Sequence, residues 1–229
     1  MLNSGELAKK AIDILQINDL AEMTGRAFDN AFSVFARKDQ IKFRIVIIGF
    51  NGSNADNNMT NKEALEKDIK SGTANIEEAI GWSRLANQLK KIPDLFGLEY
   101  HDIVYTNAIL TCSKDAQSLS KSLYGTHHSN KSIIQSSMNF LCDFTLDVFD
   151  PQIIICHGNA EKSLSTANIL RERFDGHEIF SLDETRFGRS YYFYGTYKDQ
   201  KIPILCLRHL SRYQLNESAI KKFKTRHCL

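Results

Sequence analysis

Cysteine, proline and long apolar runs are what this sequence has little of, and each scarcity excludes a class of protein. Its five cysteines in 229 residues, Cys112, Cys142, Cys156, Cys206 and Cys228, are scattered and form no CxxC pair. An odd, dispersed set excludes a disulfide framework and a zinc or iron–sulfur site built on paired cysteines. Cys156 and Cys206 stand inside apolar runs and read as small buried hydrophobes. With three prolines and no stretch rich in Pro, Gly and Ser together, there is no candidate linker, so one domain is expected. No apolar run approaches membrane-spanning length, and MLNSGELAKKAIDIL lacks the long apolar segment of a signal peptide. The expectation is a soluble, cytoplasmic protein with no membrane partner. An excess of one charge is missing too. The 29 basic and 27 acidic residues leave a net charge of +2, which permits nucleic-acid binding without requiring it.

What is present is a core-forming composition, 42% hydrophobic and 24% charged, which argues against disorder. The chain is organised around Phe43 to Asn58, FRIVIIGFNGSNADNN. Within it RIVIIG, Arg44 to Gly49, is nearly continuous apolar and β-branched, the pattern of a strand buried on both faces of a sheet. It runs into Gly49-Phe50-Asn51-Gly52-Ser53, a glycine-punctuated turn at the strand's carboxyl end. In open α/β sheets ligands bind at that edge, where loops converge over a crevice. An Asn between two glycines there can bring its amide and nearby backbone N–H groups to a substrate. The same turn also fits an ordinary tight loop closing a core strand.

Before this strand, residues 5 to 37 carry apolar positions at helical spacing: Leu7, Ile12, Ile14, Leu15 and Leu20, then Ala27, Phe28, Ala31, Phe32 and Phe35. This predicts two helices broken near Asn18-Asp19. Met59 to Ala79 is polar and charged, an insertion that reads as a solvated helix or a mobile loop. Residues 79 to 92 return to helical periodicity through Ile80, Leu85, Leu89 and Ile92, and Pro93 marks the end. Strands are predicted at 102–110, DIVYTNAIL, and 152–158, QIIICHG. Between them a helix runs from about Lys131 to Phe149, stopped by Asp150-Pro151. Residues 160 to 174 read as a helix, EIFSL near 180 as a short strand, and 191–197 with 202–210 as a hairpin. Strands separated by helix-length segments imply βαβ units with right-handed crossovers. The expected fold is α/β: a three-layer αβα domain on a mostly parallel four-stranded sheet with an added C-terminal hairpin. Four strand ends, near Gly49, Asn107, Gly158 and Leu207, would then share one edge, with Asn51, Asn107, His157 and His209 on it.

Several segments, in order, carry a resemblance. Gly49-Phe50-Asn51-Gly52-Ser53 is similar to a motif of the form Gly-x-Asn-Pro-Gly or Gly-Glu-Ala-Pro-Gly directly after a first core strand. VYTNAILTCSKDAQS, 104–118, is similar to a second strand that ends in Thr-Asn before a polar loop. FDPQIIICHGNAEKSL, 149–164, resembles a helix–Asp/Leu-Pro–strand–Gly–helix segment. LRHLSRYQ, 207–214, stands where a His-Pro-Ser motif would, with Leu210 in place of Pro, and GWSRLANQL, 81–89, is similar to the helix after the first motif. From residue 43 to 214 the chain thus resembles the uracil-DNA glycosylase superfamily.

The resemblance implies a monofunctional DNA glycosylase, which flips a pyrimidine from DNA and hydrolyses its N-glycosidic bond to leave an abasic site. The transition state is oxocarbenium-like, positive on the sugar and negative on the departing base. By resemblance, Asn51 positions the attacking water and His209 donates to the base oxygen as negative charge develops. Asn107 reads the pyrimidine edge, because one amide offers both a donor and an acceptor. Gly49, Phe50, Gly52, Ser53 and Trp82 are expected around the base. Leu210, Ser211, Arg212 and Tyr213 are expected against DNA, Leu210 as an apolar wedge. Asp56 is an acidic candidate for activating the water.

Plainer readings fit the same residues. His209 could be a strand-end histidine bonded to backbone, Asn107 a turn-shaping residue and Asp56 a solvated loop residue. His127-His128 matches no metal pattern. The departures from the family are specific. The first motif lacks its proline, and Gly52-Ser53 is small where some members place bulk against the base's 5-position. This predicts a roomier pocket that accepts a 5-modified pyrimidine, such as a phage-modified cytosine, and with it a role in antiviral defence. No aromatic lies between Phe50 and Trp82, so one of those two is expected to stack on the base, or the 59–79 insertion to close over it as a lid. Cys112 matches an iron–sulfur ligand of some members, but its paired cysteines are absent, so no cluster and no other cofactor is expected. DNA is the expected partner, with no obligate protein partner. A catalytically idle nucleic-acid-binding domain and a nucleoside or nucleotide hydrolase remain as alternatives.

Overall fold

The computed structural model describes residues 4–24, 28–29, 31–52, 59–71, 80–113, 116–160, 163–183 and 189–229. Besides shorter helical turns, the elements in chain order begin with α1 (Ser4–Ile17), β1 (Phe28–Asp29), α2 (Ala31–Ala36), β2 (Ile45–Asn51) and α3 (Asn61–Ser71). Then come α4 (Arg84–Leu89), α5 (Lys91–Phe96), β3 (Ile103–Ile109), α6 (Asn130–Phe140), β4 (Ile153–His157) and α7 (Thr166–Arg173). The chain ends with β5 (Phe180–Ser181), β6 (Tyr191–Tyr197), β7 (Gln200–Leu207) and α8 (Glu217–Arg226). Among the described residues this α/β structure has one mixed sheet of seven strands, ordered β1-β3-β2-β4-β7-β6-β5. The pairs β3–β2, β2–β4 and β4–β7 are parallel, and the flanking pairs are antiparallel.

The continuous apolar run of β2 follows from coverage on both faces. Successive strand side chains point to opposite sides. Val46, Ile48 and Phe50 join a cluster with residues of α1, α2, α6 and α7, whereas Ile45 and Ile47 join one with Leu89, Ile92, Ile220 and Phe223. Every residue from Ile45 to Phe50 is buried. Burying one such aliphatic side chain contributes about 1.5–3 kcal/mol, so packing from two sides sets β2 at the centre.

The sheet is wider than expected, and the hairpin is no appendage. β7 pairs in parallel with β4 on one side and antiparallel with β6 on the other. Its turn residues Lys198 and Asp199 both have positive φ, 47° and 63°, as a two-residue type I′ turn demands. Residues 28–29, expected in a helix, form an edge strand in which Phe28 pairs with Thr106 and Asp29 with Tyr105. Two residues are too few to leave a periodic signature. The break after α1 does fall at Asp19, which has φ 57°.

Pro93 ends no helix. It stands in the first turn of α5, where its missing N–H costs nothing, and left-handed Gly97 closes that helix. The helix expected over 131–149 starts at Asn130 under a Ser129 cap and continues through a π-helical turn, Leu141–Leu146. α7 starts later than predicted, at Thr166, capped by Ser165. The polar insertion is anchored more firmly than its composition suggests. Asn61 is buried and donates to Leu20 O at 2.9 Å and Leu110 O at 2.7 Å.

Gly195 in β6 marks a close approach: an added Cβ would stand 2.7 Å from Phe174 Cβ and 2.8 Å from Ile204 Cδ1. Both neighbours are buried and have little room to retreat. Gly195→Ala is expected to destabilise the fold by about 1–3 kcal/mol in urea unfolding. An unchanged midpoint would contradict this packing.

Candidate functional site

At the carboxyl end of the parallel strands, register puts Asn107, Gly49 and His157 in one row. Gly49 pairs with Asn107 across β2 and β3. Ile48 pairs with Cys156 across β2 and β4, so the next residue, His157, comes beside Gly49. A Cβ on Gly49 would lie 2.7 Å from Asn107 Oδ1 and 3.1 Å from His157 Nε2. Glycine is what lets both side chains lean over β2 from either side. By strand alternation the row belongs to the face that buries Ile45 and Ile47.

Asn51 stands two residues further, about 6.6 Å along the strand. Its amide nitrogen donates to Thr111 O at 3.2 Å and Ser113 Oγ at 2.5 Å. Thr111 O can only accept, which fixes the nitrogen on that side and turns Oδ1 the other way. Ser113 N donates to Gly52 O at 3.2 Å, so the loops after β2 and β3 are tied together.

His157 is held from behind, because Thr166 Oγ1 donates to its carbonyl at 2.9 Å. Its side chain is buried, and Nδ1 is sealed without a hydrogen-bond partner. Burial, and next the neighbouring His209, push its pKa from 6.5 to about 3. The two rings meet edge to face with centroids 5.4 Å apart. His209 lies half-buried on the loop after β7, and its carbonyl accepts from Arg212 N at 2.9 Å and Tyr213 N at 3.0 Å. Its Nδ1 is 2.7 Å from Ser211 Oγ. Burial, and then the Arg212 charge, lower the His209 pKa as well. Both imidazoles are therefore neutral near pH 7, each with one donor and one acceptor nitrogen.

The structure thus brings Gly49, Asn51, Asn107 and His209 to one edge and adds His157. The sequence sets His157 on that edge but gives it no task. Its signal is a lone histidine closing an apolar strand beside Gly49. Other expected positions are corrected. Phe50 is 8% exposed in the cluster on the opposite face, because it alternates with Gly49, so its ring cannot stack on a base over the row. Leu210 is 1% exposed and is no surface wedge: its side chain joins the cluster with Leu207 and Ile220 and anchors the loop. Ser211, Arg212 and Tyr213 are exposed beside it, and the Arg208 guanidinium carbon lies 3.3 Å from the Tyr213 ring centroid.

Trp82 is 79% exposed on the turn before α4. Gly52 is buried, while Ser53 and Asp56 lie outside the described residues, as do 72–79 of the insertion. α3, the described part of the expected lid, buries Leu65 in the cluster on the far face and does not cover the row. His127 and His128 both turn to Asp19. Among the described residues no group of three or more His, Cys, Asp or Glu is arranged to hold a metal ion, and no helix is long and apolar enough to cross a membrane.

No known family model matches the chain, and no curated protein matches it either. What the site can do follows from its geometry. An amide and two neutral imidazoles suit a planar, uncharged ligand with several donors and acceptors on one edge.

The depressed His157 pKa has a consequence for stability. The native ring stays neutral down to about pH 3, whereas the unfolded ring binds a proton near 6.5. Stability is therefore full above pH 6.5 and falls as pH drops from 6.5 toward 3, by at most ~1.4 kcal/mol per pH unit from this group. His209 and His227 are lowered too and add in the same direction. Urea unfolding of wild type and His157→Gln between pH 7 and pH 4 is expected to show a shallower decline in the variant. Parallel declines would contradict the assignment.

Proposed function

We propose that this protein is a monofunctional DNA glycosylase that flips a pyrimidine from DNA and hydrolyses its N-glycosidic bond, leaving an abasic site. The observation that carries this is the row of Asn107, Gly49 and His157, with neutral His209 in ring contact beyond it, at the carboxyl edge of parallel strands. A flipped base lies against such a row with its hydrogen-bonding edge toward Asn107. The oxygen of water attacks C1′ as the bond from C1′ to the base breaks; the electron pair leaves with the base, the water's proton is lost to solvent, and the base anion takes up a proton from solvent. Asn51, its amide nitrogen already committed to Thr111 and Ser113, turns Oδ1 to the water and orients it. An amide is no base, so most of the acceleration comes from stabilising the departing anion.

His209 supplies that stabilisation. The 2.7 Å contact between Ser211 Oγ and Nδ1 suits a hydroxyl that donates to Nδ1, the tautomer that keeps the ring proton on Nε2 and points a donor at the base oxygen. A neutral donor suits an anionic leaving group whose charge builds only in the transition state. Exposed Arg212 beside the turn, and Arg208 stacked on Tyr213, suit a phosphate backbone. Gly52 and Ser53, small where some members of the resembled family place bulk near the base's 5-position, favour a 5-modified pyrimidine, of the kind found in modified phage DNA.

Abasic-site formation on duplexes carrying single uracils or 5-modified cytosines tests the reading, with free nucleosides as a parallel substrate. Base release from DNA is expected, with His209→Ala slower on the order of 10²–10³-fold and Ser211→Ala less affected. Binding of DNA without release by wild type would favour an idle binding domain, and release from nucleosides alone would favour a nucleoside hydrolase.

A further inference from the structure

We propose that His157 is a substrate-reading residue, which donates a hydrogen bond from Nε2 to a carbonyl oxygen of the pyrimidine held over Gly49; this rests on the glycosylase reading above. The side chain is 6% exposed, and neither ring nitrogen has a hydrogen-bond partner among the described residues. Nδ1 is sealed altogether. The ring can therefore meet a ligand only through Nε2, the nitrogen that leans over Gly49.

The surroundings fix which nitrogen carries the proton. Burial keeps the ring neutral, so one nitrogen is a donor and the other an acceptor. A proton on Nδ1 would have no acceptor to reach, whereas a proton on Nε2 faces the space over Gly49. The proton therefore belongs on Nε2, the atom that leans over Gly49 toward Asn107. Edge-to-face contact with His209 and the Thr166 bond to its carbonyl hold the residue in place. His157 thus presents a fixed, neutral donor beside the Asn107 amide, whose Oδ1 borders the same space over Gly49.

A ligand that satisfies both needs a carbonyl oxygen against His157 and a mixed edge against Asn107. Pyrimidines have this pattern. Adenine, with no carbonyl oxygen, does not.

Two variants test the role, since His157→Gln keeps an N–H donor and His157→Leu removes it. On the modified duplexes His157→Leu is expected to lower kcat/KM for base release by about 10-fold or more, with His157→Gln recovering most of the loss. Equal kcat/KM for wild type and a folded His157→Leu overturns the proposal. If wild type releases no base, the glycosylase reading fails on its own. In that case, or if His157→Leu does not fold, imidazole ¹⁵N NMR of wild type decides. A shift of the His157 Nε2 resonance with free uracil but not with free adenine upholds the donor role. No shift, or the same shift with both, overturns it.

Discussion

The site depends on the register of β2 between β3 and β4. Asn107, Gly49 and His157 converge only because they stand at the same height near the carboxyl ends of their strands. A slip of one residue would turn a strand's polar end to the other face and break the row. The slip is resisted by the apolar residues that precede the row. Ile45 and Ile47 must face one helical layer while Val46 and Ile48 face the other. The core therefore sets the site's geometry as well as the protein's stability.

A second consequence of this placement is electrostatic. The polar ends of the strands stand beside buried aliphatic residues, so ionised groups are disfavoured there. His157 and His209 are both held below their usual pKa, chiefly by burial. Neutral imidazoles can serve as donors without attracting the anions that a pair of cations would gather. The charged groups, Arg208 and Arg212, lie one step outward on the loop that carries His209. The proposed ligand, a nucleotide within DNA, has a neutral base to meet such an uncharged row and an anionic backbone to meet the two arginines.

Much of this was legible in the sequence, for physical reasons. β2 and β4 are continuous apolar runs because helices cover both faces, and such runs end sharply where the polar edge begins. The hairpin showed itself as two strand-like runs, 191–197 and 202–210, on either side of Lys198-Asp199-Gln200-Lys201. Other features were not legible. β1 is two residues long and exists only through its pairing with Tyr105 and Thr106. Pro93 reads as a stop from local rules, yet the first turn of a helix tolerates it. Leu210 follows His209 as an exposed wedge would, and only the fold shows that the loop uses it as an anchor. Phe50 could have been placed by parity, since it alternates with Gly49 and Asn51. His157 needed the structure, because an unpartnered Nδ1 cannot be seen in a string of residues.

The central claim is that Gly49 holds open the space shared by Asn107 and His157. Base release by Gly49→Ala, beside its unfolding free energy, tests it most directly. The added methyl would displace both side chains from the row, and displacements near 1 Å are enough to cost about 10²-fold in rate. The expected result is a folded protein whose base release falls by about that factor or more. A folded Gly49→Ala that releases base at the wild-type rate would contradict the claim.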